Sequence, residues 1–228
     1  DMHNHRMAIN DNTESADLSQ LWPDTIDYDQ NSPNIGAKAE DIDKRVFSSW
    51  IEKAYWLNVL RVPLCGAYLA GCAKVRPRRI LELGTGGDSA HSTGMFIYWL
   101  SGIMVKEWEK KLISVDRHPL SHVWLRYRDY PFWEFIQGDS ISVMKFLYKT
   151  EDIFDMIFID SSHEYEHTKA EIIQASGMTE AILLDDTTHP EVKRALDEFL
   201  IGNDDWLRID LAHCVTLIER HPKKWSYG

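Results

Sequence analysis

The feature that most constrains the fold is a regular alternation of strand-like and helix-like segments between Arg79 and Arg220. Short apolar runs such as "RILEL" and "DMIFID" have the length of buried strands, and the segments between them show helical periodicity. Such alternation predicts a mostly parallel sheet with helices on both of its faces. We therefore predict an α/β fold with a Rossmann-like, doubly wound sheet.

The individual elements can be placed from these runs. Strands are predicted at Ile80–Leu83, Leu112–Val115, Phe132–Ile136, Phe154–Ile159 and Ala181–Leu184. Helices are predicted at Ser89–Ser101, Ile141–Tyr148, His163–Ala175 and Glu191–Leu200. Two final runs predict a hairpin that adds an antiparallel closing strand, at Leu207–Leu211 and Cys214–Glu219.

Residues 1–78 precede the alternation and are predicted to form an N-terminal region of arm and helices. Its first part is polar, whereas apolar residues recur at helical spacing in residues 39–53 and 55–73. Pro63 lies inside the second of these helices, where it predicts a kink or a restart. We expect this N-terminal helical extension to cover an edge of the sheet or the substrate, and residues 79–228 to form the core domain.

The net charge of the chain narrows the choice of partners. Lys and Arg total 25 against 36 Asp and Glu, a formal net charge of −11. This charge disfavours nucleic acid, because binding to phosphates depends on positive charge. No apolar run reaches the ~18 residues that would cross a bilayer, and the N-terminus shows no apolar signal segment, so no membrane association is expected. The oligomeric state stays open, a homo-oligomer included.

The three cysteines, Cys65, Cys72 and Cys214, are scattered and odd in number. They therefore predict neither a disulfide framework nor a zinc pair. Cys65 and Cys72 lie in an apolar helical segment and are expected as buried thiols. This cysteine usage predicts a reducing, cytoplasmic location.

Every predicted parallel strand is followed by a glycine turn or an acid. These positions are Gly84, Asp116, Asp139, Asp160 and Asp185. In open α/β sheets ligands bind outside the carboxyl ends of the strands, so five such positions predict a ligand site along one rim of the sheet. The alternative for any single acid is that it caps the helix that follows.

The glycine-rich turn "ELGTGG" is compatible with two classes of ligand. A dinucleotide site has the pattern G-x-G-x-x-G, but Ser89 stands at the third glycine position after Gly84 and Gly86. Glu82 lies two residues before the first glycine, where a carboxylate repels a phosphate and attracts a cation. An amino-acid ammonium beside a sulfonium fits this turn better than a pyrophosphate, and a nicotinamide dehydrogenase ranks last.

The segment "LELGTGG" resembles the first motif of class I S-adenosylmethionine-dependent methyltransferases, E/D-x-G-x-G-x-G, with Asp88 where a third glycine is common. "LISVDRHP" resembles the second motif, whose acid holds the ribose hydroxyls, and "FIQGDS" resembles the turn that contacts the adenine. The resemblance covers about residues 79–220. It implies S-adenosylmethionine as the cofactor. It also implies a set of cofactor-binding residues: Glu82, Gly84, Thr85, Gly86, Asp116, Asp139, Ser140 and Asp160.

Two later segments, "DMIFIDSSHEYEHTKAEI" and "AILLDDTTHPEVKRALDEF", resemble the metal-dependent small-molecule O-methyltransferases that carry an I-D-x-x-H segment. The resemblance implies that Asp160, Asp185 and Asp186 bind a divalent ion, and Mg²⁺ suits such an oxygen donor set. It also implies that His163 is the general base for an acceptor hydroxyl. The structural alternatives are helix caps at Asp160 and Asp186, and a supporting role of His163 toward Asp160.

Three further histidines of the rim are given lesser roles. His167 lies one helical turn after His163 and is expected to be exposed. His189 precedes a proline in a rim loop, where a turn role is expected and a contact with substrate is the alternative, and His118 is a weaker candidate still.

The sequence therefore predicts an enzyme that transfers a methyl group from S-adenosylmethionine to a hydroxyl of a small-molecule acceptor, assisted by a divalent metal. One alternative is a metal-independent S-adenosylmethionine-dependent transferase. The other is a catalytically silent module that only binds S-adenosylmethionine. The identity of the acceptor does not follow from the sequence.

Overall fold

A computed structural model describes residues 63–85, 90–118, 121–212 and 214–221 of the chain. Its seven strands are β1 (Arg79–Leu83), β2 (Lys111–Asp116), β3 (Trp133–Gln137), β4 (Met156–Ile159), β5 (Ala181–Leu184), β6 (Trp206–Ala212) and β7 (Val215–Arg220). Its α-helices are α1 (Pro63–Val75), α2 (His91–Gly102), α3 (Ser121–Tyr127), α4 (Ser140–Lys149), α5 (Tyr165–Ser176) and α6 (Pro190–Gly202).

The strands form one sheet in the order β3-β2-β1-β4-β5-β7-β6. The first five strands of this order pair in parallel, whereas β7 pairs antiparallel with both β5 and β6. The predicted doubly wound α/β sheet with an antiparallel closing strand is therefore confirmed. The order reverses between β1 and β4, and doubly wound sheets bind ligands at the carboxyl ends of strands at such a switch point.

Successive strand residues point to opposite faces of the sheet. Since both faces of these strands are apolar, helices cover both of them. Ile80 and Phe158 belong to a buried apolar cluster that also takes in side chains of α1, α2 and α3. Leu81 and Ile157 belong to a second cluster on the other face, with side chains of α4, α5 and α6. The two apolar layers hold the strands in place and leave the rim at their carboxyl ends open to polar residues.

Most predicted strands and helices are confirmed to within two residues of their bounds. The strand predicted from Phe154 begins at Met156, and the Asp155 carboxylate just before it contacts the start of β1. It accepts hydrogen bonds from the backbone N–H groups of Arg78 (2.8 Å) and Arg79 (2.9 Å). This carboxylate therefore ties the start of β1 to the start of β4.

The helix predicted from His163 begins two residues later, at Tyr165, with Glu164 as its N-cap residue. The hydroxyl of Thr168 donates a hydrogen bond to the carbonyl oxygen of Ser162 (2.8 Å) across this first turn. His163 consequently lies in the loop between β4 and α5, on the rim of the sheet and not within the helix.

The sequence predicts no helix between β2 and β3, whereas the structure has α3 there. Only two of its described side chains, Val123 and Tyr127, are buried in the apolar cluster. A helix of seven residues contains too few turns to show a periodic pattern, which is why it escapes sequence analysis.

Helix α1 belongs to the region predicted as N-terminal, residues 1–78, and packs into the first apolar cluster through Ala67, Tyr68 and Cys72. Cys72 is buried as expected. Residues 1–62 lie outside the described residues, so the helix over 39–53, the start of the helix over 55–73 and the domain boundary stay predictions. Within the described part of the chain, no helix combines the length and the apolar character needed to cross a membrane.

Candidate active site

The carboxyl ends of β1 and β4 meet at Gly84. Its φ is +84°, a conformation that glycine adopts at little cost. A Cβ at this position would lie 2.0 Å from the carbonyl oxygen of Asp160 and 2.7 Å from the Cα of Ser161. A side chain at Gly84 would therefore displace the backbone after β4, whatever it did to a ligand. Gly86 of the same turn lies outside the described residues.

Asp116, at the end of β2, is held in one orientation by its neighbours. Its Oδ2 accepts hydrogen bonds from the backbone N–H (3.3 Å) and the hydroxyl (3.0 Å) of Thr85. Its Oδ1 accepts one from the backbone N–H of His118 (2.9 Å). Each oxygen of the Asp116 carboxylate can accept a further hydrogen bond. This fixed and partly exposed carboxylate can therefore bind two hydroxyl groups of a ligand. Thr85 has the role of orienting it.

Glu82, inside β1, is fully buried beneath the turn. Its Oε2 accepts hydrogen bonds from the hydroxyls of Thr93 (2.8 Å) and Ser114. Its Oε1 has no hydrogen-bond partner among the described residues. Burial raises the pKa of Glu82 to about 7, against the lowering effect of its hydroxyl partners. The predicted contact of this acid with a cofactor stays a prediction.

Asp139 follows β3 and caps helix α4. Its Oδ2 accepts hydrogen bonds from the backbone N–H (3.0 Å) and the hydroxyl (2.9 Å) of Ser142. Its Oδ1 accepts one from Arg117 (2.8 Å). The hydrogen bond from Arg117 is the main reason that the pKa of Asp139 is lowered to about 2, and the Ser142 bonds act in the same direction. Asp139 therefore caps the helix through Ser142, as the helix-cap alternative for a strand-end acid predicts. It also pairs with a cation, Arg117.

The expectation that His167 is exposed is wrong, since only 13% of its side chain is accessible. Helix α5 turns the ring toward the rim, where Nε2 lies 3.0 Å from the hydroxyl of the buried Ser140 and 3.3 Å from Oε1 of Glu171. Arg117 lies 3.4 Å from Nδ1. The hydrogen bond to Glu171 raises the pKa of His167, against the lowering effects of burial and of Arg117.

Asp160, His163 and Asp186 converge from the segments that follow β4 and β5. His163 Nε2 lies 2.9 Å from Oδ2 of Asp186 and 3.8 Å from Oδ1 of Asp160. One potential ligand atom from each of the three lies within 4.8 Å of the other two. Asp186 has a φ of +50°, which is uncommon for a residue other than glycine. The three side chains form a cluster of metal-ligand type.

Asp185 is buried, and protein donors surround it. Its Oδ2 accepts a hydrogen bond from the hydroxyl of Tyr68. Its Oδ1 accepts bonds from the backbone N–H of Asp186 (2.7 Å) and the thiol of Cys214 (3.4 Å). Asp185, Asp186 and Cys214 form a second cluster of potential ligand atoms. The structure thus places the three predicted acids in two overlapping clusters that share Asp186.

Negative charge is poorly compensated around Asp160. Burial raises the pKa of Asp160 to about 8, and the charges of Asp185 and Asp186 add to that effect. Among the described residues, the ion-pair partner of both Asp160 and Asp186 is His163. A divalent cation would relieve this repulsion, and carboxylate oxygens with one imidazole nitrogen are donors that divalent metals accept. The residues present therefore fit a metal site.

Several residues that contribute to this rim have no signal in the sequence. Tyr68 hydrogen-bonds an acid 117 residues away in the chain. Cys214 stands in no motif, and Glu171 lies in the segment quoted for Asp160 and His163 but has no role in that resemblance. His189 is the N-cap residue of α6, in line with the expected turn role, but its ring centroid also lies 5.2 Å from that of His163. No signal in a single sequence marks such long-range partners.

Solved methyltransferase structures share the fold of this chain. CalS11, a TDP-rhamnose 3'-O-methyltransferase, matches with a TM-score of 0.57 at 15% identity, over 80% of this chain and 92% of its own. TomG, an O-methyltransferase from Streptomyces achromogenes solved in complex with SAM, matches with a TM-score of 0.52 at 16% identity, over 79% of this chain and 92% of its own.

MycE, a methyltransferase of mycinamycin biosynthesis solved with Mg, SAH and mycinamycin VI, matches with a TM-score of 0.50 at 16% identity over 64% of this chain. The chain spans 45% of the length of MycE. No protein-family model and no curated protein sequence matches the chain. At these identities the likeness establishes the fold, and it is the fold that the motifs predict.

Proposed function

We propose that this chain transfers a methyl group from S-adenosylmethionine to a hydroxyl of a small-molecule acceptor, with the assistance of a divalent metal. The observation that carries the proposal is the convergence of Asp160, Asp186 and His163, beside the switch point between β1 and β4. An acid cluster and a histidine at that place provide what deprotonation of a hydroxyl requires next to a cofactor pocket.

S-adenosylmethionine supplies the methyl group as an activated substituent of its sulfonium. The oriented carboxylate of Asp116 would accept hydrogen bonds from the ribose hydroxyls, with Thr85 holding it in place. The turn at Asp139 and Ser140 would contact the adenine. Glu82 would place negative charge beneath the positively charged end of the cofactor, where its Oε1 lacks a partner among the described residues.

Asp160 and Asp186 would hold the metal ion. Asp185 would either bind the ion as well or support Asp186, whose backbone N–H donates a hydrogen bond to the Asp185 carboxylate. The bound ion supplies a Lewis acid that lowers the pKa of a hydroxyl and fixes the position of its oxygen. Asp160 would then be ionised at neutral pH, because the cation offsets the burial and the neighbouring charges that raise its pKa.

His163 would accept the proton of the acceptor hydroxyl. Its Nε2 is within hydrogen-bond distance of Asp186, so in the neutral ring Nε2 donates to the carboxylate and Nδ1 carries the free lone pair; this tautomer is inferred from the hydrogen bond. A carboxylate that orients the base in this way is the usual third member of such an arrangement. The alternative is that His163 only supports the metal ligands, Asp160 in particular.

Small-molecule acceptors are favoured by the names of the similar structures: CalS11 is a TDP-rhamnose methyltransferase, and MycE was solved with mycinamycin VI. The net charge of −11 argues against a nucleic acid as acceptor. A catalytically silent binding module would not need the cluster of Asp160, His163 and Asp186, which is the reason to rank it below the enzyme.

Calorimetry with S-adenosylhomocysteine and with NAD tests the cofactor. The chain should bind S-adenosylhomocysteine with micromolar affinity, about −8 kcal/mol, and should not bind NAD. Asp116→Ala should weaken the affinity by about 10-fold or more, because hydrogen bonds to a charged group are lost. Asp129→Ala, which removes an exposed carboxylate, is the matched control. A preference for NAD would overturn the proposal.

A chelator tests whether the metal is required. Turnover that survives a chelator would favour the metal-independent transferase.

A further inference from the structure

A chain of hydrogen bonds joins the turn after β3 to the loop after β4. Ser140 lies 3.0 Å from His167 Nε2, which lies 3.3 Å from Oε1 of Glu171. The same Oε1 accepts a hydrogen bond from the hydroxyl of Ser161, the residue directly after Asp160. Two side chains of helix α5 therefore connect the proposed adenine turn with the backbone that carries a proposed metal ligand.

Glu171 is poorly explained as a stabilising residue. Its side chain is fully buried, and its Oε2 has no hydrogen-bond partner among the described residues. A buried carboxylate with an unpartnered oxygen costs stability, and replacing a buried ion pair by apolar groups is often neutral or stabilising. The position of this acid between two parts of the rim suggests another reason for its presence.

We propose that Glu171 and His167 are positioning residues that couple occupation of the adenine end of the site to the placement of Asp160. The proposal rests on the proposed function, because it takes Ser140 as part of the cofactor site and Asp160 as a metal ligand. A cofactor that fixes Ser140 also fixes His167 and Glu171, and through Ser161 it restricts the loop that carries Asp160. Cofactor and metal should then each strengthen the binding of the other.

The test measures Mn²⁺ affinity by electron paramagnetic resonance, on the chelator-treated full chain with and without saturating S-adenosylhomocysteine. In the wild type, S-adenosylhomocysteine should tighten Mn²⁺ binding about 5-fold or more. In Glu171→Met the tightening should fall below about 2-fold, while each ligand alone still binds and thermal unfolding shows a folded protein. Glu171→Gln keeps an acceptor oxygen and should retain part of the coupling.

Two further variants make the result decisive. His167→Leu breaks the same chain of contacts from the other side and should reproduce the loss of coupling, even if Glu171→Met does not fold. Glu166→Gln makes the same chemical change as Glu171→Gln at an exposed position of the same helix and should keep the wild-type coupling.

The outcomes separate the inference from the function on which it rests. Wild-type coupling in both Glu171→Met and His167→Leu, or a wild type that binds both ligands without any coupling, overturns the inference and leaves the proposed function standing. A wild type that binds neither S-adenosylhomocysteine nor Mn²⁺ overturns the proposed function and the inference with it.

Discussion

The rim of the sheet has two halves that differ in how the protein treats its acids. In the cofactor half, at the ends of β1 to β3, Asp116 and Asp139 receive hydrogen bonds from Thr85, Ser142 and Arg117. In the metal half, at the ends of β4 and β5, Asp160 and Asp186 lie close together, next to Asp185, which accepts hydrogen bonds from protein donors. Among the described residues the ion-pair partner of this half is His163.

The difference between the two halves appears in the pKa values of their acids. The pKa of Asp139 is lowered to about 2 by its partners, whereas the pKa of Asp160 is raised to about 8 by burial and by Asp185 and Asp186. Both residues follow a parallel strand, so position in the sequence does not distinguish them. An acid whose charge the protein compensates is structural or accepts neutral donors, whereas an acid left uncompensated in a buried rim is suited to a cation.

The largest expected effect concerns the metal half. His163→Ala should lower methyl transfer by roughly 10²–10⁴-fold, the usual contribution of a positioned acid–base group. Affinity for S-adenosylhomocysteine should be nearly unchanged, because the cofactor half is intact. Rates are to be measured with an accepted hydroxyl substrate over a titration of Mg²⁺.

The same titration separates the two roles of His163. If the residue only supports the metal ligands, the mutation should weaken metal affinity about 10–100-fold, and high Mg²⁺ should restore the rate. Full rescue would rule out the base role, whereas a deficit that persists at saturating metal supports it.

The next effect is on stability in the metal half. Asp160→Asn should stabilise the chelator-treated protein at pH 8 by about 1–4 kcal/mol, because it removes a buried charge that lacks a cation. The sign follows from the raised pKa: the contribution of Asp160 to the stability of the metal-free wild type is most favourable below pH 3.8, where the acid is protonated in both states, and is lost as the pH rises to about 8. Denaturant unfolding at several pH values measures this. A destabilised Asp160→Asn variant would contradict it.

The smallest effect has the opposite sign and belongs to the cofactor half. Asp139→Ala should destabilise the protein by about 1 kcal/mol, since it removes a helix cap. The contribution of Asp139 is present above pH 3.8 and is lost as the pH falls through about 2, because its pKa is lowered in the folded state. Thermal unfolding of Asp139→Ala and of the exposed control Asp129→Ala gives the comparison. If Asp139→Ala were as stable as Asp129→Ala, the claim that the protein stabilises the charged acids of the cofactor half would be contradicted.

Much of the fold follows from the sequence because parallel strands buried on both faces leave short apolar runs, such as Phe158 and its neighbours, whose length and flanking residues are typical of strands. The strand-end positions of Asp116, Asp139 and Asp160 follow for the same reason. Helix α3 does not, because two turns carry too little periodicity.

The charge state of the rim could not be predicted in the same way. Whether an acid is compensated depends on Arg117 reaching Asp139 and on Tyr68 reaching Asp185, and these contacts join residues that are distant in the chain. The inward turn of His167 depends likewise on Glu171 and Ser140. The reducing, cytoplasmic location stays a prediction of the sequence, and the oligomeric state stays open.

The most direct test of the difference between the halves is Mn²⁺ binding to the chelator-treated chain, counted by electron paramagnetic resonance in three proteins. The wild type and Asp139→Asn should each bind one ion per chain, and Asp160→Asn should lose that ion or bind it at least about 10-fold more weakly, because a charged ligand is gone. Equal Mn²⁺ binding by Asp160→Asn and the wild type, or no binding by any of the three, would contradict the assignment of the metal to this half of the rim.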